Sequence, residues 1–248
     1  MHNPFSLEGR TILITGASSG IGKAVAQECA AAGATCIITA RNEERLSATL
    51  SSLDGEEHQI MLADLSNPDS IEAIVEQLPK LDGIVSCAGV VETKILKFTD
   101  EEDLQHLFNT NAFSSIRLIR TLVQQKKLKK EASIVIISSI SGVKCGYLGG
   151  SIYGATKGAL EGFAKATALE LAPQKIRVNT ITPGMIETSL LKDSEIDKDL
   201  LEIDKQKYPL KRYGTPEEIG YCAVYLLSDA TKWMTGTSLL IDGGYTLN

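Results

Sequence analysis

Short runs rich in Ile and Val recur along this chain at residues 11–15, 35–40, 59–63, 83–86, 133–138, 177–182 and 238–241, and longer amphipathic stretches separate them. Most of the runs lack strict polar–apolar alternation, which fits strands covered on both faces rather than strands with one wet side. The stretches at 21–32, 43–53, 69–78, 100–125, 153–171 and 216–227 read as helices. Strand and helix in regular turn demand right-handed crossovers and a parallel sheet. The expected fold class is therefore α/β, a doubly wound parallel sheet of about seven strands flanked by helices. With 248 residues, no internal repeat and no low-complexity linker, residues 1–248 are expected to form a single domain.

Composition narrows the function classes. Hydrophobic residues make up 43% and charged residues 23%, which excludes a disordered chain. The 25 basic and 31 acidic residues leave a net charge of −6, which argues against a nucleic-acid partner. The five cysteines (Cys29, Cys36, Cys87, Cys145 and Cys222) are scattered without a Cys-x-x-Cys pair, and His2, His58 and His106 stand far apart. Free thiols in a reducing, cytoplasmic setting and no metal site are expected. No uncharged apolar run approaches the ~18 residues of a membrane span, and the first eight residues show no secretory signal, so no membrane partner is expected.

One segment breaks the rhythm. Residues 188–212 are charged, carry no strand signal and include Leu190, Leu191, Ile196, Leu200, Leu201 and Ile203. That pattern predicts one or two short amphipathic helices inserted as a substrate lid; the plainer alternative is a solvated surface excursion.

The first strand is followed by Thr15-Gly16-Ala17-Ser18-Ser19-Gly20-Ile21-Gly22 and then a helix. Unpaired N–H groups at a helix N-terminus attract anions, and glycines let the backbone approach a pyrophosphate where a Cβ would clash. Its place on the first strand–helix unit makes this turn a dinucleotide site of Rossmann type. The second strand ends Thr39-Ala40-Arg41-Asn42. An NAD site places an acidic side chain there for the ribose 2′-hydroxyl, whereas an arginine suits a 2′-phosphate. Arg41, with Arg45 nearby, therefore points to NADP(H) over NAD(H); a surface arginine paired with Glu43 or Glu44 is the alternative.

Tyr153 and Lys157 lie four apart at the start of a predicted helix and so share one face. Bringing a tyrosine pKa from ~10 to ~7.5 needs roughly 3–4 kcal/mol. An ammonium about 4 Å away supplies about 4 kcal/mol at an effective dielectric near 20. Tyr153 is thus a candidate general acid/base. Ser139, at the end of a predicted strand, lies where open α/β sheets bind ligands, and its neighbour Ser138 is the alternative.

In this order the motifs resemble the short-chain dehydrogenase/reductase family, in the branch that includes the 3-oxoacyl-carrier-protein reductases. The resemblance runs from Leu7 to Tyr245. It rests on Thr15–Gly22, Asp64-Leu65, Asn111, Ser139 with Tyr153-x-x-x-Lys157, Pro183-Gly184 followed by Thr188, and Asp242-Gly243-Gly244. It implies that Tyr153 exchanges a proton with the substrate oxygen and that Ser139 hydrogen-bonds that oxygen. Lys157 is implied to hold the nicotinamide ribose and lower the tyrosine pKa, and Asn111 to anchor a water behind Lys157. It places Gly16, Gly20 and Ile21 near the pyrophosphate and its ribose, Asp64 at the adenine amino group, and Ile186 and Thr188 near the carboxamide. Ser18, Ser19, Gly22, Leu65, Ala88, Gly89, Pro183 and Gly184 join them in the implied cofactor site.

Where the family often reads Asn-Asn-Ala-Gly, this chain has Ser86-Cys87-Ala88-Gly89, which puts the amide network of that junction in question. The implied activity is reduction of a carbonyl with NADPH, on a small molecule or a carrier-linked 3-oxoacyl group, by a homotetramer. An NAD-dependent alcohol or polyol dehydrogenase and a non-catalytic dinucleotide-binding protein are the competing readings. Lys126, Lys127, Lys129, Lys130 and Lys175 resemble carrier-docking positions of the family, or else form a solvated helix end.

Overall fold

The computed structural model describes residues 3–188 and 198–247. Its sheet contains β1 (Thr11–Thr15), β2 (Thr35–Ala40), β3 (Gln59–Leu62), β4 (Leu81–Ser86), β5 (Leu128–Ile137), β6 (Arg177–Pro183) and β7 (Ser238–Ile241). The strand order is β3-β2-β1-β4-β5-β6-β7, and every pairing is parallel. The helices are α1 (Gly20–Ala31), α2 (Glu43–Leu50), α3 (Pro68–Gln77), α4 (Glu101–Leu107), α5 (Ser114–Gln124), α6 (Ser151–Leu171), α7 (Lys198–Lys205) and α8 (Pro216–Leu227). The doubly wound, Rossmann-like architecture expected from the sequence is the one observed. None of the helices among the described residues is long and apolar enough to cross a membrane.

The missing alternation has a direct cause. Successive strand residues enter two different apolar cores, one on each face. Leu13, Ile37, Ile84, Ile134 and Ile136 pack with Ile74 of α3, Leu118 and Leu122 of α5, and Leu160 and Ala164 of α6. Their neighbours Ile12, Ile14, Ile38, Val85 and Val135 pack with Val25 of α1, Leu46 of α2, and Ile219 and Ala223 of α8. Ile, Leu and Val therefore follow one another along the central strands, because both faces of the sheet meet a helix layer.

The chain winds outward from β1 to β3, then returns to start β4 on the other side of β1. The loops after β1 and β4 thus diverge, and the crevice between them is where this class of sheet binds ligands. Sequence punctuation sets the helix starts. Asn42 accepts from Arg45 N–H at 2.8 Å, Asn67 accepts from Asp69 N–H at 2.9 Å ahead of Pro68, and Asp100 and Asp103 form a reciprocal capping box.

Three expectations are corrected here. The helix predicted at 100–125 is two helices, α4 and α5, joined by a π-helical segment, Phe108–Phe113. The strand predicted from residue 133 begins at Leu128, with a register irregularity that its Lys-Lys-Glu opening conceals. The carrier-docking lysines are at the wrong rim within the chain. Lys126 and Lys127 precede β5, Lys129 and Lys130 open it, and Lys175 precedes β6, whereas Ser139 follows β5. At about 3.3 Å per residue, a strand of this length separates the two rims by on the order of 30 Å. Three of the lysines also have local partners: Lys127 donates to the carbonyls of Glu76 and Leu78, Lys129 pairs with Asp82, and Lys175 pairs with Glu131. Of the predicted insert, α7 is present, while residues 189–197, with Leu190, Leu191 and Ile196, lie outside the described residues.

Candidate active site

The turn after β1 is shaped by its glycines. Gly16 has φ +65° and Gly20 φ +51°, a region that L-residues with a side chain rarely enter. A Cβ on Gly22 would lie 2.3 Å from the Gly16 carbonyl oxygen, and one on Gly16 would meet the Ala88 backbone at 3.0 Å. The turn therefore closes tightly against the loop after β4. Thr15 fastens the two together: its hydroxyl accepts from Cys87 N–H at 3.0 Å and Ala88 N–H at 3.1 Å. This resolves the departure at Ser86-Cys87, since the junction is held by a threonine hydroxyl and two backbone amides rather than by an asparagine side chain. Ser86 bonds to Ser115 at 2.7 Å, and burial pushes the Cys87 thiol up to about 12, so it stays protonated.

The amino end of α1 opens into the same crevice. Ser19 occupies the N-cap position but makes no capping hydrogen bond, so its side chain does not close the helix terminus. Ser18 is half-buried and Ile21 packs at the edge of the core. Arg41 is exposed beyond β2, close enough for its charge to help lower the Asp64 pKa; the larger cause is the hydrogen bond from the Ser66 hydroxyl. Asp64 Oδ1 accepts from Ser66 N–H at 3.0 Å and Ser66 Oγ at 2.7 Å, and Leu65 is buried behind it. Beyond β6, Gly184 N–H donates to the Ile241 carbonyl at 2.9 Å, and Ile186 is buried. The chain then reaches Thr188, whose methyl lies 3.2 Å from where a Cβ on Gly20 would stand. The residues predicted for the pyrophosphate and the carboxamide are thus neighbours. A tight glycine turn, an uncapped helix end and a basic side chain beyond β2 fit a dinucleotide.

The second group of residues gathers on α6 and the end of β5. Ser139 hydrogen-bonds the Tyr153 hydroxyl and also accepts from Ser141 N–H at 3.1 Å. Ser138, the alternative, is turned away and donates to the Lys157 carbonyl at 3.3 Å. Lys157 Nζ donates to the Ile137 carbonyl at 3.0 Å and lies 5.8 Å from the centroid of the Tyr153 ring. A Cβ on Gly89 would stand 3.6 Å from that nitrogen, so the lysine reaches the cofactor crevice.

The electrostatics differ from the expectation. Burial raises the Tyr153 pKa, outweighing the lowering effect of Ser139, and the nearby Tyr147 raises it further. Burial lowers Lys157 to about 8. Desolvation disfavours both charged forms and wins over the attraction that an adjacent ammonium would supply at closer range.

Asn111 is fully buried in the π-helical segment, a kind of helix irregularity found often at functional sites. Its side chain accepts from Val90 N–H at 2.8 Å, donates to the Val90 carbonyl at 2.9 Å and reaches Thr156 Oγ1 at 3.4 Å. The amide braces the loop after β4 against α6 and leaves one lone pair of its oxygen without a protein donor among the described residues. The Thr15 hydroxyl bridge and the Val90 clamp escaped the sequence reading. The threonine of the Thr-Gly pair was the signal for the first, and nothing local marks the second.

A groove of ≈ 500 Å³ is walled by Ile95, Leu96, Cys145, Tyr147, Leu148 and the small residues of the α6 amino end; Ser139, Tyr153 and Lys157 do not line it, and Tyr147 is the wall residue whose ring packs toward Tyr153. Tyr147 lies 6.5 Å from Tyr153, ring to ring.

A family model described as enoyl-(acyl carrier protein) reductase matches residues 16–246. A 3-oxoacyl-[acyl-carrier-protein] reductase of Bos taurus is 35% identical over 238 residues, covering 94% of this chain and 97% of that protein. A tropinone reductase homolog of Arabidopsis thaliana is 35% identical over 252 residues, covering 98% of this chain and 92% of that protein. Among solved structures, a putative short-chain alcohol dehydrogenase from Sinorhizobium meliloti superposes with a TM-score of 0.91 at 30% identity, over 99% of this chain and 100% of that one. With the glycine turn, the Ser139–Tyr153 hydrogen bond and Lys157 at one rim of this sheet, and with likeness running through the whole chain, the protein belongs to the short-chain dehydrogenase/reductase family of oxidoreductases.

Proposed function

We propose that this oxidoreductase uses NADPH to reduce the carbonyl of an apolar substrate to an alcohol. The observation that carries the reading is the meeting, at the carboxyl rim of one sheet, of a glycine turn leading into an uncapped helix N-terminus and a hydrogen-bonded Ser139–Tyr153 pair backed by Lys157. The dihydronicotinamide, when bound, supplies the hydride. Tyr153 supplies the proton: burial keeps its phenol protonated at neutral pH, which is the form a donor needs. Ser139 orients the substrate oxygen and stabilises the charge growing on it. Lys157, brought to about 8, holds a proton near neutrality and can restore it to the tyrosine side of the site. Arg41 and Arg45 take the 2′-phosphate, Asp64 and Leu65 the adenine, and Ile186 and Thr188 the carboxamide.

A substrate that reaches Tyr153 past Tyr147 meets Ile95, Leu96 and Leu148, which offer little to hydroxyl groups and favour an apolar acyl or alicyclic ketone over a polyol. A 3-oxoacyl thioester suits this wall, in line with the activity named for the bovine relative. The insert at 188–212 acts as the lid, and exposed Phe113 on the π segment and Leu169 on α6 are surfaces for self-association into a tetramer. The test is a panel of alicyclic ketones, diketones and 3-oxoacyl thioesters, with NADPH and NADH oxidation followed by absorbance. Consumption of NADPH with an apolar ketone or a thioester is expected. Activity confined to polyol oxidation with NAD would overturn the reading.

A further inference from the structure

The segment that covers the glycine turn, residues 184–188, is held from beneath by the far end of the insert. Gly214 N–H donates to the Met185 carbonyl at 3.0 Å, and Glu187 N–H donates to the Gly214 carbonyl at 2.8 Å. Lys205 of α7 pairs with Glu187 at 3.2 Å. The Met185 N–H itself goes to a side chain: it donates to the Tyr208 hydroxyl oxygen at 3.1 Å.

Tyr208 is placed to hold that bond rigidly. It is 4% exposed, and its ring is packed edge-on against Tyr213 at 5.4 Å and tilted against Tyr245 at 4.8 Å. Its edge also lies against Gly184 and Gly243. The chain around it is stiffened by Pro209, which packs on Gly244, and by Asp242, which accepts from Gly244 N–H and from both the N–H and the hydroxyl of Thr246. A phenol on such a platform fixes the height of whatever backbone it receives. Three residues beyond Met185 is Thr188, in contact distance of the glycine turn at Gly20.

We infer that Tyr208 is a positioning residue for the nicotinamide end of the cofactor, acting through the Met185 N–H and the segment that runs to Thr188. The inference rests on the dinucleotide reading of the site. It separates the two ends of the ligand: the adenine half lies over Arg41 and Asp64 beyond β2 and β3, remote in the sheet from β6, whereas the nicotinamide half meets residues 184–188.

The experiment compares wild type, Tyr208→Phe and Tyr213→Phe by calorimetric titration with NADPH and with 2′-phospho-ADP-ribose, which lacks the nicotinamide. Tyr208→Phe keeps the ring packing and removes the hydroxyl. It is expected to weaken NADPH about 3- to 10-fold, the scale of one hydrogen bond, and to leave 2′-phospho-ADP-ribose unchanged. Tyr213→Phe loses the hydroxyl's bonds to Asp204 and the Leu201 carbonyl in the same aromatic cluster, neither of which reaches residues 184–188, and is expected to bind both ligands as wild type does. Unchanged NADPH affinity in Tyr208→Phe, equal loss for both ligands, or an equal NADPH loss in Tyr213→Phe would each overturn the inference alone. Failure of wild type to bind either ligand would overturn the dinucleotide reading itself. A measurement on wild type stands whether or not the variants fold: the Met185 amide is expected to exchange slowly with solvent in the free protein, and rapid exchange there would sink the proposal.

Discussion

Replacing Lys157 by Met should stabilise this protein near neutral pH while destroying its turnover. Lys157 has its pKa lowered from 10.5 to about 8 by burial. At about 1.36 kcal/mol per pH unit, the charged form costs the folded state about 3 kcal/mol at pH 7. A group whose folded pKa lies below its unfolded one stabilises the fold least at low pH, and its cost disappears as pH rises from about 8 toward 10.5. Methionine has a similar stem and no charge, so it escapes the cost but gives up the bond from Nζ to the Ile137 carbonyl. A hydrogen bond from a charged donor is worth about 1.5–3 kcal/mol. At pH 7 the variant is then expected to be more stable by about 0–2 kcal/mol, or a few degrees in Tm for a chain of this size. The difference between variants as pH rises is the sharper quantity, because the lost bond cancels from it. Between pH 7 and pH 10 the advantage of the methionine should shrink by roughly 2–3 kcal/mol and reverse sign. Urea unfolding of both proteins across that range measures it directly. A gap that stays constant with pH would refute the claim that burial loads this lysine.

Three further outcomes follow from the site. Tyr153→Phe removes the proton donor and should cut turnover by at least ~10² while NADPH affinity is kept, read by initial rates and calorimetry; near-normal turnover on an established substrate would show the donor to be another group. Arg41→Asp should weaken NADPH by roughly 30- to 10³-fold, as expected for losing a charge-assisted phosphate contact and adding repulsion, with NADH little affected; equal wild-type affinity for the two cofactors would dismiss the 2′-phosphate role. Thr15→Val keeps the shape of a fully buried side chain but strands the Cys87 and Ala88 N–H groups. It should cost about 2–5 kcal/mol in urea unfolding, and a cost under about 1 kcal/mol would mean those amides find other acceptors.

The parts of this molecule that were legible in its sequence are those with a local physical signature. β1, β2 and β7 were read to the residue, because an apolar run between a helix and a turn leaves little choice. The glycine turn was readable because Gly16, Gly20 and Gly22 each meet a backbone or side chain where a Cβ would crowd. What escaped depends on contacts made from afar. The π segment at Phe108–Phe113 gives no break in helical periodicity, and its reason is the clamp between Asn111 and Val90. The state of Tyr153 was misjudged because the spacing to Lys157 shows that two groups share a face but says nothing about how dry that face is. The ammonium is bonded to Ile137, and burial decides the pKa of both.

The misplaced docking lysines show that more could have been drawn from the same sequence. In a sheet whose strands are all parallel, one rim collects the residues that follow strands and the opposite rim those that precede them. Gly16, Arg41, Asp64, Ala88, Ser139 and Gly184 each follow a strand, so they converge without any knowledge of tertiary contacts. Lys126, Lys127 and Lys175 precede strands, and Lys129 and Lys130 begin one. Once the parallel sheet was inferred, order relative to the nearest strand was enough to assign these lysines to the rim away from the chemistry of their own chain. A charged partner that docks on these lysines would have to reach a site on a second copy. Steep salt dependence of kcat/KM on a carrier-linked substrate that vanishes in a monomeric variant is the result that would support such a route, and salt dependence that survives in the monomer would exclude it.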